Sequence, residues 1–73
     1  MRIVEEGQIK NNFDGFKDEK TTFEMLSGSK WIQAEYKYSY HSAFMPKVKI
    51  TEDMGNYYLE VENMNDKVLV KKI

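Results

Sequence analysis

The sequence contains no cysteine and a single histidine, His41, so a disulfide is impossible. A zinc site would need an unusual set of carboxylates around that one imidazole. Small domains often depend on disulfides or a metal, because a chain of this size buries only about 60% of the surface that it exposes when unfolded. We therefore expect stability to come from apolar packing, helped by self-association, with no metal and no cofactor.

Long hydrophobic runs are also missing, since no apolar stretch approaches the roughly 18 residues that span a bilayer. The amino terminus becomes acidic at Glu5 and Glu6, which is too early for a secretory signal. The formal net charge is only −1, and so small a charge steers a protein neither to nucleic acid nor to an anionic membrane. These absences predict one cytoplasmic domain, residues 1–73, with no membrane partner.

The middle of the chain differs from its two ends in charge and in aromatic content. Residues 30–50 carry four lysines against Glu35 alone, a net charge of +3, whereas the segments before and after each have a net charge of −2. Aromatic residues make up 14% of the chain and are most frequent in this same basic segment. A local surface that combines rings and lysines is therefore possible, although the whole chain is nearly neutral.

Apolar and polar residues alternate along most of the chain, which is typical of strands with one buried face. The longest alternation covers residues 32–41, where Ile32, Ala34, Tyr36, Tyr38 and Tyr40 share one face. We predict that this face points inward, and that the long strand either bends or bulges near residues 39–42 or gives way to an irregular loop over residues 42–46. The other predicted strands are residues 8–13, 21–26, 47–51, 56–63 and 68–73.

Turn residues separate these predicted strands, and no stretch has convincing helical periodicity. Gly28 can adopt a positive φ without steric cost, so residues 26–30 predict a tight hairpin. Asp14-Gly15 predicts a second turn, and Pro46 marks the end of the aromatic strand because proline cannot donate to a ladder. Within the strands, the alternation predicts that Phe23, Met25, Val48, Ile50, Leu59 and other apolar residues in phase with them point inward.

Five or six short antiparallel strands at intervals of about ten residues are typical of a sandwich or a small barrel. The chain is too short for a sandwich of two full sheets. Closing one sheet on itself removes its exposed edges. The sequence therefore predicts an all-β, single-domain, SH3-like barrel.

The segment from Thr21 to Gln33 resembles a group of small bacterial proteins that carry the pattern Thr-x-Phe-x-Leu-x-Asn-Gly-x-x-Trp-x-Gln. This chain has Met25 in place of the Leu and Ser27 in place of the Asn. The likeness continues through residues 55–59 and the final Val- and Lys-rich strand, residues 68–73. The resemblance implies a β-barrel, and the group has no assigned activity to carry over.

The aromatic middle of the chain is the strongest candidate for a binding surface, with Trp31, Tyr38, Tyr40, His41 and Phe44 as the predicted contacts to a protein partner. Two alternatives stay open, because the tyrosines could instead be core residues and Trp31 could cap the open end of a barrel. His41 and its serine neighbours lie on one strand and cannot form a catalytic triad. We therefore predict a non-catalytic binding module rather than an enzyme.

Single-stranded nucleic acid is the second predicted class of ligand, since bases stack on aromatic rings while lysines contact phosphates. The candidate phosphate contacts are Lys30, Lys37, Lys47 and Lys49. A third hypothesis is a homo-oligomer, in which an exposed edge strand such as residues 68–70 pairs with another copy.

Overall fold

A computed structural model describes all 73 residues, Met1–Ile73, and contains eight β-strands and no helix. The strands are β1 (Arg2–Gln8), β2 (Asn12–Phe16), β3 (Thr22–Glu24), β4 (Lys30–Gln33), β5 (Ser39–Phe44), β6 (Lys47–Asp53), β7 (Asn56–Val61) and β8 (Lys67–Lys72). Every pair of neighbouring strands is antiparallel. The prediction of one small, all-β, antiparallel domain is confirmed.

The strands form a six-stranded sheet in the order β1-β6-β7-β8-β4-β3 and a separate two-stranded ribbon of β2 and β5. The outer strands of the large sheet, β1 and β3, meet only where Ile9 and Met25 form an isolated bridge. At that point Lys10 N donates to Glu24 O and Leu26 N donates to Gln8 O, both at 2.8 Å. The prediction of a closed barrel is therefore wrong, because the ladder does not continue around the whole circumference.

The core lies between the inner face of the large sheet and the ribbon. Phe13 and Phe16 of the ribbon pack edge-to-face at 5.9 Å between ring centroids, and both rings lie near Phe23 of β3. Such aromatic contacts add stability beyond the apolar area that they bury. The twelve buried apolar residues are Ile9, Phe13, Phe16, Phe23, Met25, Trp31, Val48, Ile50, Leu59, Val61, Val68 and Val70. The predicted inward residues Phe23, Met25, Val48, Ile50, Leu59 and Val61 are in this set, whereas Tyr57, also predicted to point inward, is half-buried against it.

The predicted long strand over residues 32–41 does not exist as one piece, because β4 ends at Gln33 and β5 begins at Ser39. After β4, Leu69 N donates to a side-chain oxygen of Glu35 at 2.8 Å. In a continuing strand, a backbone carbonyl of the neighbouring strand would accept this hydrogen bond from Leu69. Because the Glu35 carboxylate accepts it instead, the chain can leave β8 and cross to the ribbon. The predicted irregularity near residues 39–42 is present as a bulge, since Asp14 of β2 lies opposite two residues of β5.

The first third of the chain departs furthest from the predicted strands. Strand β1 was not predicted, and the predicted strand over residues 8–13 spans the end of β1, the Ile9 bridge and the start of β2. Asp14-Gly15, predicted as a turn, lies inside β2, where Gly15 has φ +103°. A Cβ at Gly15 would collide with the backbone of Ser39, so this glycine permits the close approach of β2 and β5.

The predicted hairpin over residues 26–30 is confirmed. Met25 N donates to Ser29 O at 2.8 Å, Gly28 N donates to Met25 O at 2.9 Å, and Gly28 has φ +103°. The predicted free edge at residues 68–70 is wrong, because β8 lies between β7 and β4.

Candidate binding surface

Four large aromatic side chains lie exposed along β5 and the loop before it, and we call them the aromatic row. Their exposed fractions are 71% for Tyr36, 67% for Tyr38, 70% for Tyr40 and 74% for Phe44. Within β5 the exposed and half-buried residues alternate strictly. The alternation predicted from the sequence is therefore real in this segment, but the prediction that the tyrosines point inward is wrong.

Pairing across the β3–β4 hairpin explains why Trp31 and Gln33, rather than Ile32, point inward. Phe23 lies opposite Trp31 in the β3–β4 ladder, and residues opposite each other in an antiparallel pair share one face of the sheet. Since Phe23 is buried, Trp31 and Gln33 are buried with it, and Ile32 faces outward. The register of this hairpin, in which residues 26–28 connect Met25 and Ser29, could have shown this from the sequence, because Phe23 was already predicted to point inward.

Trp31 is a core residue rather than an accessible contact, with only 2% of its surface exposed. Its indole N–H donates to a carboxylate oxygen of Glu5 at 3.3 Å, and its ring packs against Tyr57 at 5.6 Å. The other carboxylate oxygen of Glu5 accepts a hydrogen bond from Ser27 at 3.0 Å. Trp31 therefore has a structural role and is not an accessible contact for a partner.

His41 also turns away from the aromatic row. It is half-buried on the inner side of β5, and its ring lies 6.4 Å from that of Phe13. Of the five predicted partner contacts, Tyr40 and Phe44 therefore lie on the exposed face of β5, and Tyr38 is exposed in the loop before it, together with Tyr36. Sequence reasoning had not included Tyr36, because it was assigned to the core.

Strand β5 is also a free edge of the fold, since it pairs with β2 alone. Met45 N donates to Asn11 O at 3.2 Å, and Ala43 lies opposite Phe13. Backbone groups point alternately to the two sides of a strand, so Ser42 and Phe44 direct their N–H and C=O groups away from β2. The aromatic row thus lies beside unpaired backbone donors and acceptors.

The four lysines predicted to contact phosphates do not form one stripe. Lys30 is in β4, whereas Lys47 and Lys49 are in β6, and β7 and β8 lie between these strands. Lys37 Nζ lies 2.7 Å from a carboxylate oxygen of Asp66 and also donates to Lys67 O at 2.7 Å. This hydrogen bond from Lys37 holds the pKa of Asp66 below its ordinary value.

A shallow groove of about 280 Å³ lies between β2 and β3, where the two strands diverge. Phe13 and Phe23 line it together with polar residues that include Asn12, Asp14 and Thr22. No group of three or more His, Asp or Glu side chains is arranged to hold a metal ion. The fold contains no helix that could cross a membrane.

Comparison with known proteins adds no family to this description. No protein-family model, curated protein or solved structure matches the chain. The resemblance to the small bacterial proteins remains a prediction, and the structure assigns most of its pattern to the hairpin: Phe23, Met25, Trp31 and Gln33 form its inward face. The aromatic row lies outside that pattern.

Proposed function

We propose that this chain is a non-catalytic, cytoplasmic binding module that recognises a protein partner through the aromatic row. The observation that carries the proposal is the exposure of Tyr36, Tyr38, Tyr40 and Phe44, each by two thirds or more, along the edge strand β5 and the loop that leads into it. Interfaces are enriched in Tyr and Phe relative to the rest of the surface. Clustered exposed apolar residues mark interaction sites, whereas scattered ones need no explanation.

The free edge of β5 supports a protein ligand in particular. An extended segment of a partner can add to such an edge through backbone hydrogen bonds, while side chains on the exposed face contribute specificity. We also propose that the curled sheet and its ribbon are a variant of the SH3-like barrel. Its support is the meeting of β1 and β3 at the Ile9–Met25 bridge, which nearly closes the large sheet.

Single-stranded nucleic acid is the second candidate ligand, and the same exposed rings favour it, because bases stack on aromatic side chains. The lysines favour it less, since they are distributed over distant strands and Lys37 is paired with Asp66. A fluorescence titration with RNA and DNA oligonucleotides separates the two classes of ligand. Nucleic-acid binding would give a signal change at low salt that weakens steeply as salt is added.

Affinity capture from source-cell lysate, treated with nuclease, tests the proposal directly. The double variant Tyr38→Ser, Tyr40→Ser removes half of the aromatic row without touching the core. Leu26→Ser is the matched control, because Leu26 is a 54% exposed apolar residue in the β3–β4 hairpin. We expect a protein captured by the wild type and by Leu26→Ser to be lost with the double variant. Equal capture by all three would reject the aromatic row as the contact surface.

A further inference from the structure

The fold has four strands with a free edge, and β5 alone among them combines more than three residues with the absence of strongly charged side chains and proline. Charged side chains, prolines, bulges and very short length are the usual protections. Strand β1 contains Arg2, Glu5 and Glu6, β2 contains Asp14, and β3 has only three residues, one of them Glu24. Strand β5 has six residues and no Lys, Arg, Asp, Glu or Pro; its one irregularity is the bulge at His41 and Ser42, although exposed and half-buried residues still alternate through it.

We propose that β5 pairs across its free edge with β5 of a second copy of this chain, in an antiparallel arrangement about a two-fold axis. The inference rests on the proposed function, in which the aromatic row is a protein contact, and it names that partner as a second copy. Pairing would join two ribbons into one four-stranded sheet, β2-β5-β5-β2. A two-stranded ribbon is only marginally stable by itself, so each copy gains from the added strands.

Charge favours a second copy over an unrelated partner with a charged strand. Like charges directly opposite each other destabilise an antiparallel pair. Because β5 contains no acidic or basic residue other than His41, self-pairing brings no Lys, Arg, Asp or Glu side chains together in any register. The other three edges would each oppose charged groups in at least some registers.

The backbone directions and the exposed rings of β5 together favour one register. Ser42 directs its N–H and C=O groups to the free edge, so a two-fold axis at Ser42 lets the two copies of this residue exchange both hydrogen bonds. In that register Tyr40 of each copy lies opposite Phe44 of the other, on the same face of the joined sheet. Aromatic pairs in such cross-strand positions are stabilising.

The available area fits a weak, concentration-dependent dimer. Large aromatic side chains bury about 150–250 Å² each, so four of them exposed by about 70% offer about 500 Å² per copy. A standard interface buries about 800 Å² on each partner. The proposed dimer is therefore smaller than a standard interface, and we expect it to dissociate at low concentration.

Sedimentation equilibrium of the full chain over concentrations from about 5 μM to 1 mM tests the dimer, because dissociation follows mass action. We expect the mass to rise from 8.7 kDa toward twice that value. Ser42→Lys places two like charges at the axis and should weaken the dimer about tenfold or more. Thr22→Lys on β3 is the matched control and should leave it unchanged. A wild-type mass that stays monomeric at all concentrations, or equal effects of both variants, would overturn the proposal.

Cross-linking tests the register, and the absence of native cysteine makes single-cysteine variants clean. A hydrogen-bonded antiparallel pair has its Cα atoms about 5.5 Å apart, within the range of a disulfide. Mild oxidation should therefore convert Ser42→Cys to a disulfide dimer much faster than Thr22→Cys. Equal rates would contradict the two-fold axis at Ser42. A monomeric wild type that still captures a nuclease-resistant partner through the aromatic row would reject the second copy alone and leave the proposed function standing.

Discussion

Replacing Gln33 by methionine should remove a large part of the free energy of unfolding, although the two side chains are similar in size. Gln33 is 1% exposed, and its amide group makes four hydrogen bonds to the backbone. Its nitrogen has two hydrogens, which are shared among the carbonyl oxygens of Lys17, Glu35 and Lys37, and its oxygen accepts from Lys17 N at 2.9 Å. One side chain thus ties the loop before β5 to the end of β2.

The magnitude follows from the number of bonds. Each hydrogen bond contributes about 1 kcal/mol, and the partners left behind are only partly buried, so water satisfies some of them. Burying the apolar methionine side chain offsets part of the loss, which leaves a net cost of about 3 kcal/mol. The total stability of a domain of this size is about 4–11 kcal/mol. The variant should therefore remain folded in water but with a much smaller margin.

Urea denaturation measures this cost. With a slope of about 1 kcal/mol per molar urea, the midpoint of Gln33→Met should fall by about 3 M. Gln8→Met is the matched control, because Gln8 donates only one such bond, to Met45 O at 3.1 Å, and should cost about 1 kcal/mol. Trypsin should also cleave at Lys37 faster in the Gln33 variant. A Gln33→Met midpoint no lower than that of Gln8→Met would refute the assigned role of this amide.

Three further perturbations have defined outcomes. Gly15→Ala should lower the free energy of unfolding by about 3 kcal/mol in urea denaturation, because its φ is +103° and the new Cβ collides with the β5 backbone. Gly28→Ala is the control: Gly28 has the same φ but open space around it, so the loss should be about 1 kcal/mol. A smaller loss at Gly15 than at Gly28 would contradict the close approach. Met54→Asn should raise the free energy of unfolding by about 0.5–1 kcal/mol, because Met54 has φ +54° in the two-residue β6–β7 turn, where asparagine is favoured. A thermal midpoint below that of the wild type would contradict this prediction. The hydrogen bond from Arg2 holds the pKa of Glu52 below its ordinary value. This carboxylate therefore stabilises the fold at pH values above its unfolded pKa of about 4.3. The stabilisation is lost as pH falls through the folded pKa. Glu52→Gln should therefore be less stable than the wild type at pH 7 but not at a pH well below the folded pKa of Glu52, and urea midpoints that differ equally under both conditions would contradict this linkage.

The strands with a regular alternation of apolar and polar residues could be predicted from the sequence. Val48 and Ile50 in β6 and Leu59 and Val61 in β7 are buried as the pattern indicates. Strand β1 could not be found in this way, because it is an edge strand whose apolar residues, Ile3 and Val4, are adjacent and exposed.

The aromatic segment shows why alternation alone is insufficient. A period of two assigns residues to two faces but does not say which face is buried. Here the direction depends on Gln33, a polar residue whose burial is possible only because the backbone of other segments satisfies its amide. These hydrogen bonds to the Gln33 amide depend on the tertiary structure, and no local pattern in the sequence reveals them.

The candidate site was therefore predicted in part. Tyr38, Tyr40 and Phe44 do lie together on an exposed surface, whereas Trp31 lies in the core because of its pairing with Phe23. The free edge was assigned to residues 68–70, although β8 is interior. Strand order in a sheet depends on contacts between distant segments, so the sequence pattern of a single strand does not distinguish an edge from an interior position.

Residue-resolved amide hydrogen exchange of β5 in dilute solution tests the central claim most directly, namely that this strand carries the aromatic row on a free edge. Ala43 faces β2 and should exchange slowly, while Ser42 and Phe44 direct their N–H groups to solvent and should exchange much faster. Equal protection of all three amides at concentrations where the protein is monomeric would contradict the account, because it would mean that another part of the chain already occupies this edge.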